Sequence, residues 1–275
     1  MLAGFTAEAR CVQGQRWQRY IRAGSGVPMI LLHGAGGNSH WFAGLAAHLP
    51  AQELVLVDLP GHGGSDDADS WSLEDIAVGV VDATADLSAS PMVWVGHSWG
   101  GKIAALIAAM QPARVAGLIL IDPSPAQASD LRGEQLLAEG FARELDEWRS
   151  VADAIAAARR LPQYATWDDM LADAFRAGLV EEASGRCRSR LGRAAFVDIC
   201  EAIFSNDCTA RFQAIGCPTL VLVASQSAAW QAATNRIAFT EAQWQVLSGT
   251  HWLYLDQPTA VSAAIDAWLA ANGFQ

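Results

Sequence analysis

The sequence predicts an α/β protein: a mostly parallel β-sheet with helices on both faces and a helical insertion. Three observations predict it. Short apolar, β-rich runs alternate with helix-like segments, the pattern of a parallel sheet joined by crossover helices. The runs are almost continuously apolar, as suits strands covered on both faces. Between residues 125 and 211 the strand pattern stops, and it resumes afterwards, as an insertion into one domain requires.

The elements follow in order. Segments 9–13 and 15–21 flank Gly14 and predict an antiparallel edge hairpin. Core strands are expected at 28–33 (P-M-I-L-L-H), 54–58 (L-V-L-V-D), 92–96 (M-V-W-V-G), 115–122 (V-A-G-L-I-L-I-D) and 218–224 (P-T-L-V-L-V-A), with a weaker one at 243–247. A helix over 72–87 opens on a capping box, Ser72 with Asp75. A second, 101–110, is rich in small residues and stops at Pro112. A third, 258–271, carries Val261, Ile265, Trp268 and Leu269 at helical spacing. Segments 133–148, 151–160, 167–177 and 193–204 all read as helices. The expected division is therefore a core at 1–124 and 212–275, with a helical cap at 125–211.

Composition narrows the function classes. The 275 residues are 52% hydrophobic and 17% charged, enough to bury a sizeable core. A net charge of −11 argues against nucleic acid, which a protein of this sign repels. The five cysteines are odd in number and form no C-x-x-C pair, so neither a disulfide framework nor a zinc site is expected. The first residues lack a basic start and apolar run, and no stretch approaches the roughly 20 apolar residues of a membrane span. The expectation is a soluble cytoplasmic protein.

Chemistry concentrates at strand ends. Gly96-His97-Ser98-Trp99-Gly100 lies between a strand and a helix, the setting in which G-x-S-x-G forms a nucleophile elbow. Ser98 must occupy a strained turn, and glycines let the backbone pass closely. Two further turns, His33-Gly34-Ala35-Gly36-Gly37 and Asp58-Leu59-Pro60-Gly61-His62-Gly63-Gly64-Ser65, follow strands. The first can aim a backbone N–H at a substrate carbonyl, with the Trp99 N–H as a second donor. The other is read as structural.

In their order, these motifs resemble the α/β-hydrolase superfamily, specifically its cap-bearing branch of serine esterases, lactonases and carbon–carbon-bond hydrolases. The resemblance covers nearly all the chain outside the cap and implies the family's eight-stranded, mostly parallel sheet. It implies Ser98 as nucleophile, Ala35 and Trp99 as oxyanion donors, and a late histidine as base. His251, in Ser248-Gly249-Thr250-His251-Trp252, occupies that place. The triad acid departs from the common pattern. Its usual loop reads Ala224-Ser225-Gln226-Ser227-Ala228-Ala229-Trp230, without a carboxylate. A minority of the superfamily carries the acid at the end of the preceding strand, here Asp122, and Asp256 is the fallback. On this reading Ser227 is dispensable.

Eleven tryptophans against nine phenylalanines and three tyrosines are unusual. Trp41, Trp99 and Trp252 adjoin the motifs, and Trp148 and Trp167 lie in the expected cap. Trp41, Trp252, Trp148 and Trp167 are candidates for lining a pocket for a flat or hydrophobic substrate, with core packing the competing role. The resemblance implies hydrolysis of a carboxylic ester or lactone through an acyl-enzyme, with no metal or organic cofactor. Bulky, polyketide-like lactones are suggested by relatives with the shifted acid. Cleavage of a β-diketone or ring-fission product uses the same triad and remains open, as does a non-catalytic ligand receptor. Oligomeric state is not indicated.

Overall fold

The computed structural model describes residues 2–88, 90–128, 147–161 and 167–274. Its main sheet has eight strands: β1 (Thr6–Val12), β2 (Gln15–Arg22), β3 (Met29–Leu32), β4 (Leu54–Val57), β5 (Met92–His97), β6 (Val115–Ile121), β10 (Thr219–Ala224) and β11 (Gln243–Leu247). Their spatial order is β1-β2-β4-β3-β5-β6-β10-β11. From β4 to β11 all neighbours are parallel, whereas β1–β2 and β2–β4 are antiparallel. The hairpin turns through Gln13 and Gly14, both at positive φ, as a two-residue loop with right-handed twist requires.

Alternation along the apolar strands explains both faces. Ile30, Leu32, Trp94, Leu118, Leu120, Val221 and Val223 point to one side and pack with α2 (Leu73–Ala83) and α3 (Trp99–Met110). Met29, Leu31, Val93, Val95, Ile119, Ile121, Leu220 and Leu222 point to the other, against α1 (Ala43–Ala47) and the closing helix Pro258–Ala271. Helix α2 begins on the expected box, with Ser72 Oγ accepting the Asp75 N–H at 3.1 Å. It ends four residues earlier than expected. There Thr84 Oγ1 donates back to Val80 O, while Arg19 and Arg114 take the Ala83 and Thr84 carbonyls.

The insertion is not wholly helical, and the expectation of a helical cap is corrected on this point. Helices α4 (Val151–Ala158), α5 (Asp169–Ala177) and α6 (Arg193–Ser205) fall near the expected positions. Between them, β7 (Glu147–Trp148), β8 (Leu179–Glu181) and β9 (Cys187–Ser189) form an antiparallel sheet ordered β7-β9-β8. These strands are two or three residues long and include polar residues, so no apolar run marks them. They are held by backbone pairing around a turn at Gly185. The helix expected over 133–148 lies outside the described residues but for Glu147 and Trp148, which are strand. No described helix is long and apolar enough to cross a membrane.

Sheet order positions the site. From β3 the chain goes to β4 on one side and from β5 to β6 on the other, so the ends of β3 and β5 form the topological switch point at which sheets of this kind bind ligands. The insertion reaches the same edge. Asn38 Nδ2 donates to Ala174 O, Arg190 to Ser65 O, and Lys102 Nζ to both Ile203 O and Asn206 O.

Candidate active site

Strand β5 ends at His97 and α3 starts at Trp99, leaving Ser98 to turn the chain alone. Its backbone adopts φ 52° and ψ −119°, a conformation L-residues avoid. Missing side chains permit this turn. A Cβ on Gly96 would lie 2.3 Å from the Gly100 carbonyl oxygen, and one on Gly100 would lie 2.3 Å from that of Leu32. Ser98 N–H donates to Ile121 O at 3.1 Å, and Ser124 N–H donates to Ser98 O at 3.0 Å. Half-buried, the Ser98 hydroxyl lies 3.5 Å from Ser124 Oγ and makes no hydrogen bond to His251.

The structure brings Asp122 and His251 together. Asp122, at φ 42°, is wholly buried just past the end of β6. Its Oδ2 accepts the Nδ1–H of His251 at 2.6 Å, while the imidazole side chain is 42% exposed against 0% for the carboxylate. With Nδ1 donating to the acid, Nε2 carries the lone pair. The loop after β10 holds the acid's other oxygen. Ala224 N–H donates to Oδ1 at 3.1 Å and Ser227 Oγ at 2.5 Å. The expectation that Ser227 is dispensable does not fit this geometry: the loop lacks a carboxylate yet grips the one next door. Asp256 serves elsewhere, accepting from Thr250 N–H and Oγ1 at 2.8 and 2.5 Å and bracing the turn that carries His251.

His97, to which the elbow motif assigns no role, lies beneath this pair. It is fully buried, donates Nε2–H to the His251 carbonyl at 2.9 Å, and packs its ring 4.7 Å from that of His251. Burial, with repulsion from His251, pushes its pKa well down, so it is neutral.

The glycine-rich turn after β3 meets the elbow directly. A Cβ on Gly34 would lie 3.0 Å from Ser98 Cβ and 2.8 Å from His97 Nδ1, so only glycine permits this approach. The N–H groups of Ala35 and Trp99 have no acceptor among the described residues. The turn at 58–65 proves to be the brace of this one. His62 Nε2 accepts the Gly36 N–H at 2.9 Å, and His33 Nε2 accepts the Leu59 N–H at 2.9 Å. Asp58, wholly buried, accepts from Ser39 N–H and Gly64 N–H. No sequence signal marked this role, because each bond joins residues some twenty or more positions apart, or closes a turn.

Burial holds both histidines neutral: His33 is shifted well down and His62 to about 4. This carries a pH consequence. The unfolded chain binds these protons at about 6.5, so below that pH it holds more protons than the native state, and stability falls as pH drops towards 4. His62 alone accounts for ~3 kcal/mol across that window. Urea midpoints measured from pH 7 to pH 4 should therefore fall steadily, and His62→Gln should flatten part of the slope. A flat profile would contradict the assignment of neutral, buried imidazoles.

The tryptophans fall into separate groups. Trp41 and Trp252 pack at 4.7 Å, with Trp252 5.0 Å from His97. In the insertion, Trp148 and Trp167 flank Phe175 at 6.4 and 6.2 Å. The Trp99 side chain is buried in the core against His62, so only its backbone faces the site.

This fold and arrangement define an α/β-hydrolase. Residues 29–264 match the model of the alpha/beta hydrolase family, and the chain belongs to that family. It is 38% identical over 110 residues to Lipase LipV of Mycobacterium tuberculosis, covering 40% of this chain and 41% of that protein. To the pimeloyl-[acyl-carrier protein] methyl ester esterase of Shewanella woodyi it is 38% identical over 106 residues, covering 37% of this chain and 38% of that one. The matched stretch thus spans about two fifths of these relatives. Among solved structures, E-2-(acetamidomethylene)succinate hydrolase superposes with TM-score 0.83 at 20% identity, covering 97% of this chain and 99% of that one. The enol-lactonase from Burkholderia xenovorans LB400 does so with TM-score 0.71 at 18% identity, covering 96% and 100%. At such identities the structures speak for the fold alone.

Proposed function

We propose that the protein is a serine hydrolase of carboxylic esters or lactones, working through an acyl-enzyme. One observation carries the reading: a wholly buried carboxylate, Asp122, 2.6 Å from the Nδ1 of a solvent-accessible histidine, in a site that also holds the strained Ser98 turn. His251 Nε2 removes the Ser98 hydroxyl proton as the oxygen attacks the substrate carbonyl. The carbonyl oxygen becomes an oxyanion, held by the Ala35 and Trp99 N–H groups. His251 then passes its proton to the leaving alkoxide, which departs as the alcohol. Water, deprotonated by His251, attacks the acyl-enzyme, and the acid leaves with Ser98 restored. Asp122 keeps its charge throughout, fixing the tautomer and stabilising the imidazolium.

The insertion at 125–211 acts as a cap in this reading. Its support is the set of contacts from Ala174 to Asn38, from Arg190 to the Ser65 turn and from Ile203 to Lys102 in the first turns of α3. Trp41 and Trp252 on the core, with Trp148 and Trp167 on the insertion, are the proposed walls of a pocket for a hydrophobic acyl group or lactone ring. The ester-cleaving names of the sequence relatives support the bond type. A panel of p-nitrophenyl esters, alkyl lactones and β-diketones tests it. Turnover confined to esters and lactones is expected; cleavage of the diketones alone would overturn the reading.

A further inference from the structure

We infer that Ser227 is a positioning residue of this site: its hydroxyl sets the plane of the Asp122 carboxylate and so aims it at His251. The inference rests on the triad reading and adds a residue to it.

Ser227 stands immediately before the helix Ala228–Thr234, where a serine hydroxyl ordinarily accepts a backbone N–H of the first turn. Here it makes no such bond. Instead it lies 2.5 Å from Asp122 Oδ1 and 3.1 Å from Ala224 O. One hydroxyl proton cannot serve both fully, and the anionic, nearer oxygen is the stronger acceptor. The residue therefore gives up a local role for a contact across 105 positions of sequence.

That contact has a geometric effect. The carboxylate is buried, so each of its oxygens needs a donor from the protein. Oδ2 faces His251 and Oδ1 faces Ala224 N–H and Ser227. The backbone donor is the longer of the two at 3.1 Å, so the hydroxyl at 2.5 Å carries the larger share of the restraint on rotation about the last side-chain bond. With Ser227 in place, both oxygens are fixed, and Oδ2 stays in line with Nδ1. The loop that in the common pattern carries the acid thus carries the acid's anchor.

The test compares Ser227→Ala and Ser227→Thr with the wild-type chain, using a p-nitrophenyl ester that the enzyme turns over. Ser227→Ala should lower kcat by about 10–100-fold, the worth of one hydrogen bond to a charged group, with KM unchanged. Ser227→Thr keeps the hydroxyl and should stay within a few-fold of wild type. The low-field proton resonance of His251 Nδ1–H should shift in the alanine variant and persist in the threonine one. A merely structural serine would change melting temperature without moving that resonance or splitting kcat from KM. Wild-type kcat in Ser227→Ala, or equal loss in both variants, would overturn the inference. Ser98→Ala separates the failures. If it is inactive while Ser227→Ala is normal, this inference alone falls; if it remains active, the triad reading falls.

Discussion

Ser98→Ala is expected to lower kcat by about 10⁴–10⁶-fold while the protein still folds. The effect is large because, in the proposed mechanism, the hydroxyl is the group that bonds to substrate, and nothing else in the turn can replace it. The fold survives because the side chain is only half-buried and its removal opens no core cavity. The backbone strain at φ 52° is unchanged by the substitution, since alanine and serine share it. His251→Ala should cost about as much, and the double variant little more than either single one, because nucleophile and base act as a unit. Kinetics on all three, with melting curves as the control, check this. A double variant far slower than both singles would mean that His251 is not the partner of Ser98.

Asp122→Asn is expected to cost roughly 10³–10⁴-fold in kcat, close to the loss seen when a buried triad aspartate becomes an amide. The reason lies in the donors around the carboxylate. Ser227 and Ala224 both donate to Oδ1, so the amide oxygen must take that side. Its NH₂ group then faces His251 Nδ1, which can meet a donor only by giving up its proton. The proton moves to Nε2, the nitrogen that must act as base, and the imidazolium loses its counter-charge. The variant keeps the side-chain volume, so its melting temperature serves as the check on packing. Full activity in Asp122→Asn would end the assignment of this residue.

Much of this was legible in the chain, and the reason is local. Each core strand is an unbroken apolar run because both of its faces are covered, and the capping box at Ser72 spans only the four residues to Asp75. Asp122 stood out only through the resemblance: the loop that commonly carries the family's acid, Ala224 to Trp230, has no carboxylate, and the neighbouring strand ends in one. What stayed hidden depends on contacts between distant segments. His62 bracing Gly36, His97 beneath His251, and Ser227 gripping Asp122 are separated by 26, 154 and 105 positions, and none follows a periodic pattern. The three short strands of the insertion were missed for a related reason. Their pairing is made by backbone groups, which every sequence possesses.

The most direct test of the central claim is to find where a phosphonylating probe bonds. The protein is treated with a fluorophosphonate, and the modified peptide is identified by mass spectrometry. The account predicts one adduct per chain, on Ser98, formed slowly or not at all in His251→Ala. Ser124 provides an internal control, since its hydroxyl lies only 3.5 Å from that of Ser98 yet has no base assigned to it. An adduct on Ser124, or an intact wild-type protein left unmodified, would contradict Ser98 as the nucleophile.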